Sequence, residues 1–289
     1  MTSDEVAGGR PDPARWNVSV SEAVAVQRAL RDQLVLRPPA GFAPRYVGGA
    51  DVSLNRDSPR GYAGIVVIDG ATMDTVDEAT AIADIAFPYV PGLLSFRELP
   101  VLERAWAGLR QRPDVLVFDG QGYAHPRRFG FACHGGVLFG VPSIGCAKTI
   151  LVGRHGPLGE ERGARAELVD RGEVVGMALR LRAGTKPVYV SPGHLMDLPT
   201  AVDVVLAVSA GYREPETTRR SHRLVNRIRR EAGSREEGGG SRPPPSSLLP
   251  PPYSLLPARN RFTSCATARP SARATRATGD PPLNAAAIA

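Results

Sequence analysis

The sequence predicts a mixed α/β fold, and three observations carry the prediction. Three β-rich segments joined by short turns follow one another over residues 46–86, the pattern of an antiparallel meander. From about residue 93 to residue 230, helical and strand-like patterns alternate. Between two of those helices lies an unbroken apolar run, Val115 to Phe118, of the kind found where a strand is buried on both faces, so it is expected to pair parallel with a neighbour.

Residues 1–17, rich in Gly, Pro and Asp, read as a loose arm. Ser19 or Ser21 can cap a helix whose apolar positions Val24, Leu30 and Leu34 recur near helical spacing and which ends before Pro38 and Pro39. A strand at 46–54 carries Asp51 into an otherwise apolar sheet, where an ionised carboxylate is costly unless it meets a cation. A metal ion would answer that need. Strands follow at 61–69, turned by Asp69 and Gly70, and within 75–86. Two prolines make Pro88-Tyr89-Val90-Pro91 a rigid loop. The helix expected at 93–110 places Glu98 in its first turns, where a carboxylate also complements the helix dipole.

The central strand, 114–119, ends on Asp119, and Gly120 and Gly122 let the chain fold tightly before presenting His125, Arg127 and Arg128. An Asp-Gly pair after a strand is also a plain turn signal. What favours a site is the crowding of Asp119, His125 and His134 within sixteen residues of Gly-rich chain. A helix over 133–139 leads to a strand at 143–147, which aims Lys148 at the same strand mouth. A hairpin or strand pair at 166–181 comes next, then a short strand at 187–190 running into the turn Ser191-Pro192-Gly193-His194, and helices at 200–209 and 216–230. His194 lies near the site or acts as a cap, while His155 and His222 read as solvated surface residues. The arginines between Arg219 and Arg230 either track phosphates or form a solvated face.

Composition sets outer bounds. The 289 residues suffice for one large or two small domains, and a net charge of +7 with a pI near 9.8 fits a polyanionic partner. Seven arginines against three acids lie after residue 232, so most of the excess is carried there. Residues 233–289, dominated by Pro, Arg, Ser and Ala, lack apolar periodicity and are expected to form a disordered tail, either a basic nucleic-acid tether or an out-of-frame translation of a GC-rich gene. Cys133, Cys146 and Cys265, odd in number and without C-x-x-C spacing, read as free thiols of a reducing compartment. With neither a secretory leader nor an apolar run of spanning length in view, the expectation is a cytoplasmic protein with no membrane partner.

Four separated blocks carry a family resemblance. They are Val47-Gly48-Gly49-Ala50-Asp51-Val52-Ser53, the run from Pro88 to Glu98, the run Asp119-Gly120-Gln121-Gly122 with His125-Pro126-Arg127, Gly130, Ala132 and His134, and Ser143 to Lys148. Together they resemble endonuclease V, a family of nucleases that cut nucleic acid beside deaminated adenine, over roughly residues 20–230 in the family's order. The resemblance implies an RNase H-like mixed sheet flanked by helices within residues 18–232. It also implies Mg²⁺-dependent hydrolysis, with Mn²⁺ as a substitute, of the second phosphodiester 3′ to an inosine in DNA, leaving a 3′-hydroxyl and a 5′-phosphate.

By the same resemblance Asp51 and Asp119 hold the metal, Glu98 completes its shell, His125 supports the attacking water or a second ion, and Lys148 binds the scissile phosphate. The loop from Pro88 to Pro91 is a wedge whose Tyr89 stacks into the opened helix, Gly92, Leu94 and Gly120 line a pocket for the extruded base, and His134 touches the substrate strand. A monomer without an obligate protein partner is implied. Inosine-containing RNA as substrate and a damaged-base binding module that does not cut stand as alternatives. An aspartyl phosphatase using Asp119 is disfavoured because Gln121 stands where that chemistry usually has a second Asp.

Overall fold

In the computed structural model, which describes residues 16–54 and 59–238, the elements follow as α1 (Val20–Arg31), β1 (Tyr46–Leu54), β2 (Arg60–Asp69), β3 (Thr75–Asp84), α2 (Leu94–Ala107), β4 (Val115–Phe118), α3 (Phe131–Phe139), β5 (Ser143–Ala147), β6 (Arg165–Asp170), β7 (Glu173–Leu179), β8 (Val188–Pro192), α4 (Leu198–Ala207) and α5 (Glu216–Gly238). One sheet holds all eight strands in the order β3-β2-β1-β4-β5-β8-β7-β6. The first three strands are antiparallel, as a meander requires, while β4 lies parallel to both β1 and β5. Three antiparallel strands followed by two parallel ones in this order is the RNase H-like layout expected.

Strand parity divides the sheet between two cores. Val47, Val66, Ile68, Val115 and Val117 face one core with residues of α4 and α5, whereas Ala50, Ile65, Val67, Leu116 and Phe118 face the other with residues of α2 and α3. Because successive side chains of a strand point to opposite faces, an apolar run such as Val115 to Phe118 is what a central strand covered on both sides needs.

Differences from the sequence reading have local causes. Ser19, not Ser21, caps α1, through a capping box in which the Ser19 and Glu22 side chains accept from each other's backbone N–H. That helix stops at Arg31, since Gln33 and Leu34 turn more tightly, donating to carbonyls three residues back, and Leu34 keeps helical spacing without being helical. Gly108 ends α2 short of residue 110. Pro192, read as part of a turn, closes β8 at a terminal ladder position opposite Ile144, where a missing N–H is tolerated. Helix α5 runs on to Gly238, past both its expected end at residue 230 and the boundary set at residue 232. The rest of the tail, and the arm but for Trp16 and Asn17, lie outside the described residues.

No helix among the described residues is long and apolar enough to cross a membrane. Cys133 and Cys146 are free and buried, and Cys265 lies outside the described residues.

One glycine decides how closely α5 docks. A Cβ built on Gly49 would come within 2.3 Å of the Thr217 backbone carbon and oxygen, so β1 accepts this helix only because the position has no side chain. Gly49→Ala is expected to push α5 outward at a cost of about 1–3 kcal/mol. Thermal melting checks this, and an unchanged midpoint would mean that the helix yields freely.

Candidate active site

Parallel pairing of β1 with β4 sets the geometry. Ala50 stands opposite Phe118, and the Asp119 N–H donates to the Ala50 carbonyl at 3.2 Å, so Asp51, within β1, and Asp119, at the end of β4, sit side by side just past the last rung of the β1–β4 ladder. Each shares the parity of residues that face α5, Val47 in one strand and Val115 and Val117 in the other. From that helix comes His222, whose Nδ1 lies 2.8 Å from Asp51 Oδ2. One ligand atom from each of Asp51, Asp119 and His222 can be chosen so that all lie within 4.8 Å of one another. His222 is therefore no free surface residue, although its side chain is about half exposed.

Glu98 enters from the first turns of α2 and is buried. Burial first, then the charges of Asp51 and Asp119, push its carboxyl well above the ordinary value. Asp119 is also raised, by burial and by Asp51, against the opposing pull of Lys148. Lys148 follows β5 and donates to Asp119 Oδ2 at 2.6 Å, with Glu214 Oε2 a further 3.1 Å contact of the same ammonium. Burial lowers the Lys148 pKa, and the two acids together outweigh it. His222 is raised chiefly through its bond to Asp51.

Burial first and mutual repulsion second push the Glu98 and Asp119 carboxyls upward, in spite of the cations beside them. Carboxylate oxygens with an imidazole are donors that suit a divalent ion, so the residues fit a metal centre. Glu98 stands outside the tightest set of donors and faces it electrostatically.

Beside this cluster opens a cavity of about 290 Å³, walled by Tyr89, Gly92, Leu94, Gly120, His125 and Lys148 and reaching Asp119. Pro91 also borders it, so the expected wedge and the expected base pocket form one wall. Tyr89 is 69% exposed. Gly92 has φ of +79°, and a Cβ there would also lie 2.9 Å from Arg127 Nη2. Its carbonyl gathers three side chains, Gln27 Nε2 at 3.0 Å, His125 Nε2 at 3.0 Å and Arg127 Nη2 at 2.6 Å. Sequence reasoning missed Gln27, which is buried and looks like any polar residue of an amphipathic helix.

Besides His222, three histidines are candidates for the site, and none of them belongs to the tight donor set among the described residues. His125 hydrogen-bonds Gly92 and the Arg127 N–H, which fixes Nδ1 as acceptor and Nε2–H as donor, and it lines the pocket instead of joining the carboxylates. His134 does not face a substrate strand. It is 4% exposed, packed against the rings of Trp16, Phe96 and Phe129 with Nδ1 3.0 Å from Ser95 Oγ, and so ties α3 to α2. His194 bonds through its backbone to Ser143 at the start of β5, the end opposite Lys148.

The fold and this acid cluster define a class, the RNase H-like nucleases that work through carboxylates at the mouth of adjacent strands. Comparison with known proteins narrows it. The family model for Endonuclease V matches residues 28–223. An endonuclease V of Myxococcus xanthus is 62% identical over 228 residues, covering 79% of this chain and 97% of its own length. The crystal structure of endonuclease V from Streptomyces avermitilis superposes with a TM-score of 0.73 at 46% identity, over 76% of this chain and 97% of that one. That of Ciona intestinalis endonuclease V, in complex with a 24mer DNA containing an inosine followed by a ribo-adenosine, has a TM-score of 0.65 at 26% identity, over 74% and 98%. The chain belongs to the endonuclease V family.

His125 also titrates in a usable window. Burial, aided by Arg127, lowers its pKa from 6.5 to about 4. Below pH 6.5 the unfolded chain takes up a proton that the folded chain refuses, so stability falls as the pH drops towards 4. Relative to His125→Gln, the native protein is expected to lose about 2 kcal/mol more between pH 7 and pH 5. Urea unfolding at the two pH values measures it, and equal losses would contradict a buried neutral imidazole.

Proposed function

We propose that the protein is a Mg²⁺-dependent endonuclease that recognises deoxyinosine in DNA and hydrolyses the second phosphodiester 3′ to it, leaving a 3′-hydroxyl and a 5′-phosphate. The observation that carries this reading is that Asp119, paired beside Asp51, borders a cavity that the Tyr89 loop also lines. Chemistry and base recognition thus lie next to each other, as they must for a cut a fixed step from a lesion. The relative from Ciona, bound to inosine-containing DNA, supports the same substrate.

Inosine differs from adenine on the edge that is paired inside a duplex, so a reader of that edge has to extrude the base. Tyr89, exposed and held between Pro88 and Pro91, fills the gap by stacking, a contact worth about 1–3 kcal/mol and indifferent to sequence. Gly92, Leu94 and Gly120 let the extruded base approach backbone groups, while His125 and Gln27 hold the Gly92 carbonyl in place.

Asp51, Asp119 and Glu98 would hold Mg²⁺, which when bound supplies charge stabilisation at the phosphoryl oxygens and an activated water. His222 orients the Asp51 carboxylate. Lys148 has a third N–H to offer a phosphate oxygen beyond the two engaged by Asp119 and Glu214. Outward on α5, Arg223 and Arg230 are exposed and suit the backbone of the flanking duplex.

A labelled duplex with one deoxyinosine tests the reading. With Mg²⁺ the native protein is expected to nick it, and chelation abolishes nicking. Asp51→Ala and Asp119→Ala each lose at least about 100-fold in rate while still binding the duplex, and His222→Ala loses roughly 10- to 100-fold. Tyr89→Ala instead weakens lesion binding by about 1–3 kcal/mol. Binding without nicking by well-folded native protein would overturn the proposal. Since the Ciona complex has a ribonucleotide after its inosine, matched RNA strands belong in the same assay.

A further inference from the structure

We propose that Glu214 is a positioning residue for Lys148, holding its ammonium at the site once Asp119 is engaged elsewhere. The inference rests on the nuclease reading above. Its basis is a lysine gripped at both ends by two consecutive residues of the segment that leads into α5. Glu214 Oε2 lies 3.1 Å from Lys148 Nζ, and Arg213 Nη2 donates to the Lys148 carbonyl at 3.1 Å. The same guanidinium donates to the carbonyls of Lys186 at 3.2 Å and Pro187 at 3.3 Å, so the segment is tied to the sheet and does not drift with the lysine.

A single acid would suffice if Lys148 only had to neutralise Asp119. That pair is already short, at 2.6 Å. The nuclease reading gives Asp119 another partner, and a lysine released from it is a flexible four-carbon stem with rotamer entropy to regain. With its side chain 31% exposed, Lys148 has solvent within reach. Glu214, itself mostly buried at 25% exposure, offers a second fixed acceptor that does not belong to the metal-type donor set. Of the three ammonium donors, Glu214 keeps one occupied, so the others stay directed into the site. A plain structural role, pinning the segment before α5 to β5, predicts lost stability and nothing else.

Two measurements on the full chain separate these roles. Single-turnover nicking of the deoxyinosine duplex is compared for native protein, Glu214→Gln, Lys148→Met and the double variant. Glu214→Gln is expected to lower the rate at saturating enzyme roughly 5- to 10-fold with duplex affinity little changed, and to have no further effect when Lys148 is already Met. The second measurement needs no DNA. Calorimetric Mn²⁺ binding should weaken several-fold in Glu214→Gln, because Lys148 then sits on Asp119 alone and competes with the ion, and weaken less in the Lys148→Met background. Should Glu214→Gln melt early, Glu214→Asp, which keeps the charge and shortens the reach, takes its place. Equal rate losses in both backgrounds, or a lower melting temperature with unchanged nicking, would overturn the proposal. Failure of the native protein to nick would instead count against the nuclease reading, and the Mn²⁺ comparison would still report on Glu214.

Discussion

Everything in this molecule depends on holding like charges together. Asp51 and Asp119 are placed side by side just past the last rung of the β1–β4 ladder by backbone pairing, Glu98 is pressed towards them from a helix, and none can retreat without breaking a strand or a packed face. Coulomb repulsion between groups this close is weak in water and strong in a dry interior. The sheet supplies the rigidity, with β1 and β4 covered on both faces, and Lys148 and His222 supply partial relief from opposite sides.

Two independent supports meet at this cluster. On one face α5 lies so close to β1 that Gly49 is required, and the same docking delivers His222 to Asp51. Towards the pocket, the Gly92 carbonyl is held by Gln27 from α1 and by His125 and Arg127 from the loop after β4, two points far apart in the chain. The pocket wall is therefore fixed by hydrogen bonds and the carboxylate cluster by packing. A change in one can leave the other standing.

How far the sequence reveals this varies with the kind of signal. Strand β1 and strand β5 are legible to the residue, since alternation and flanking turns bound them. The acids Asp51 and Asp119 are legible because a carboxylate inside an apolar strand, or closing one, is anomalous, and Glu98 only because a family pattern singles it out. His222 leaves no such trace. It stands among arginines on a polar helix, and only the close approach of α5 to β1 turns a surface imidazole into a neighbour of Asp51. His134 misleads in the opposite sense, since a histidine in a Gly-rich stretch invites a functional reading while three aromatic rings from separate segments enclose it. Tertiary proximity of this sort has no periodicity to betray it.

The chain order of the donors bears on when activity arises. Asp51, Glu98 and Asp119 are all made before the halfway point of the sequence, whereas His222 and the helix that carries it come last among the described elements. A nascent chain still tethered to the ribosome thus exposes three mutually repelling acids with one face of β1 uncovered. Only on release of the α5 segment does the imidazole arrive.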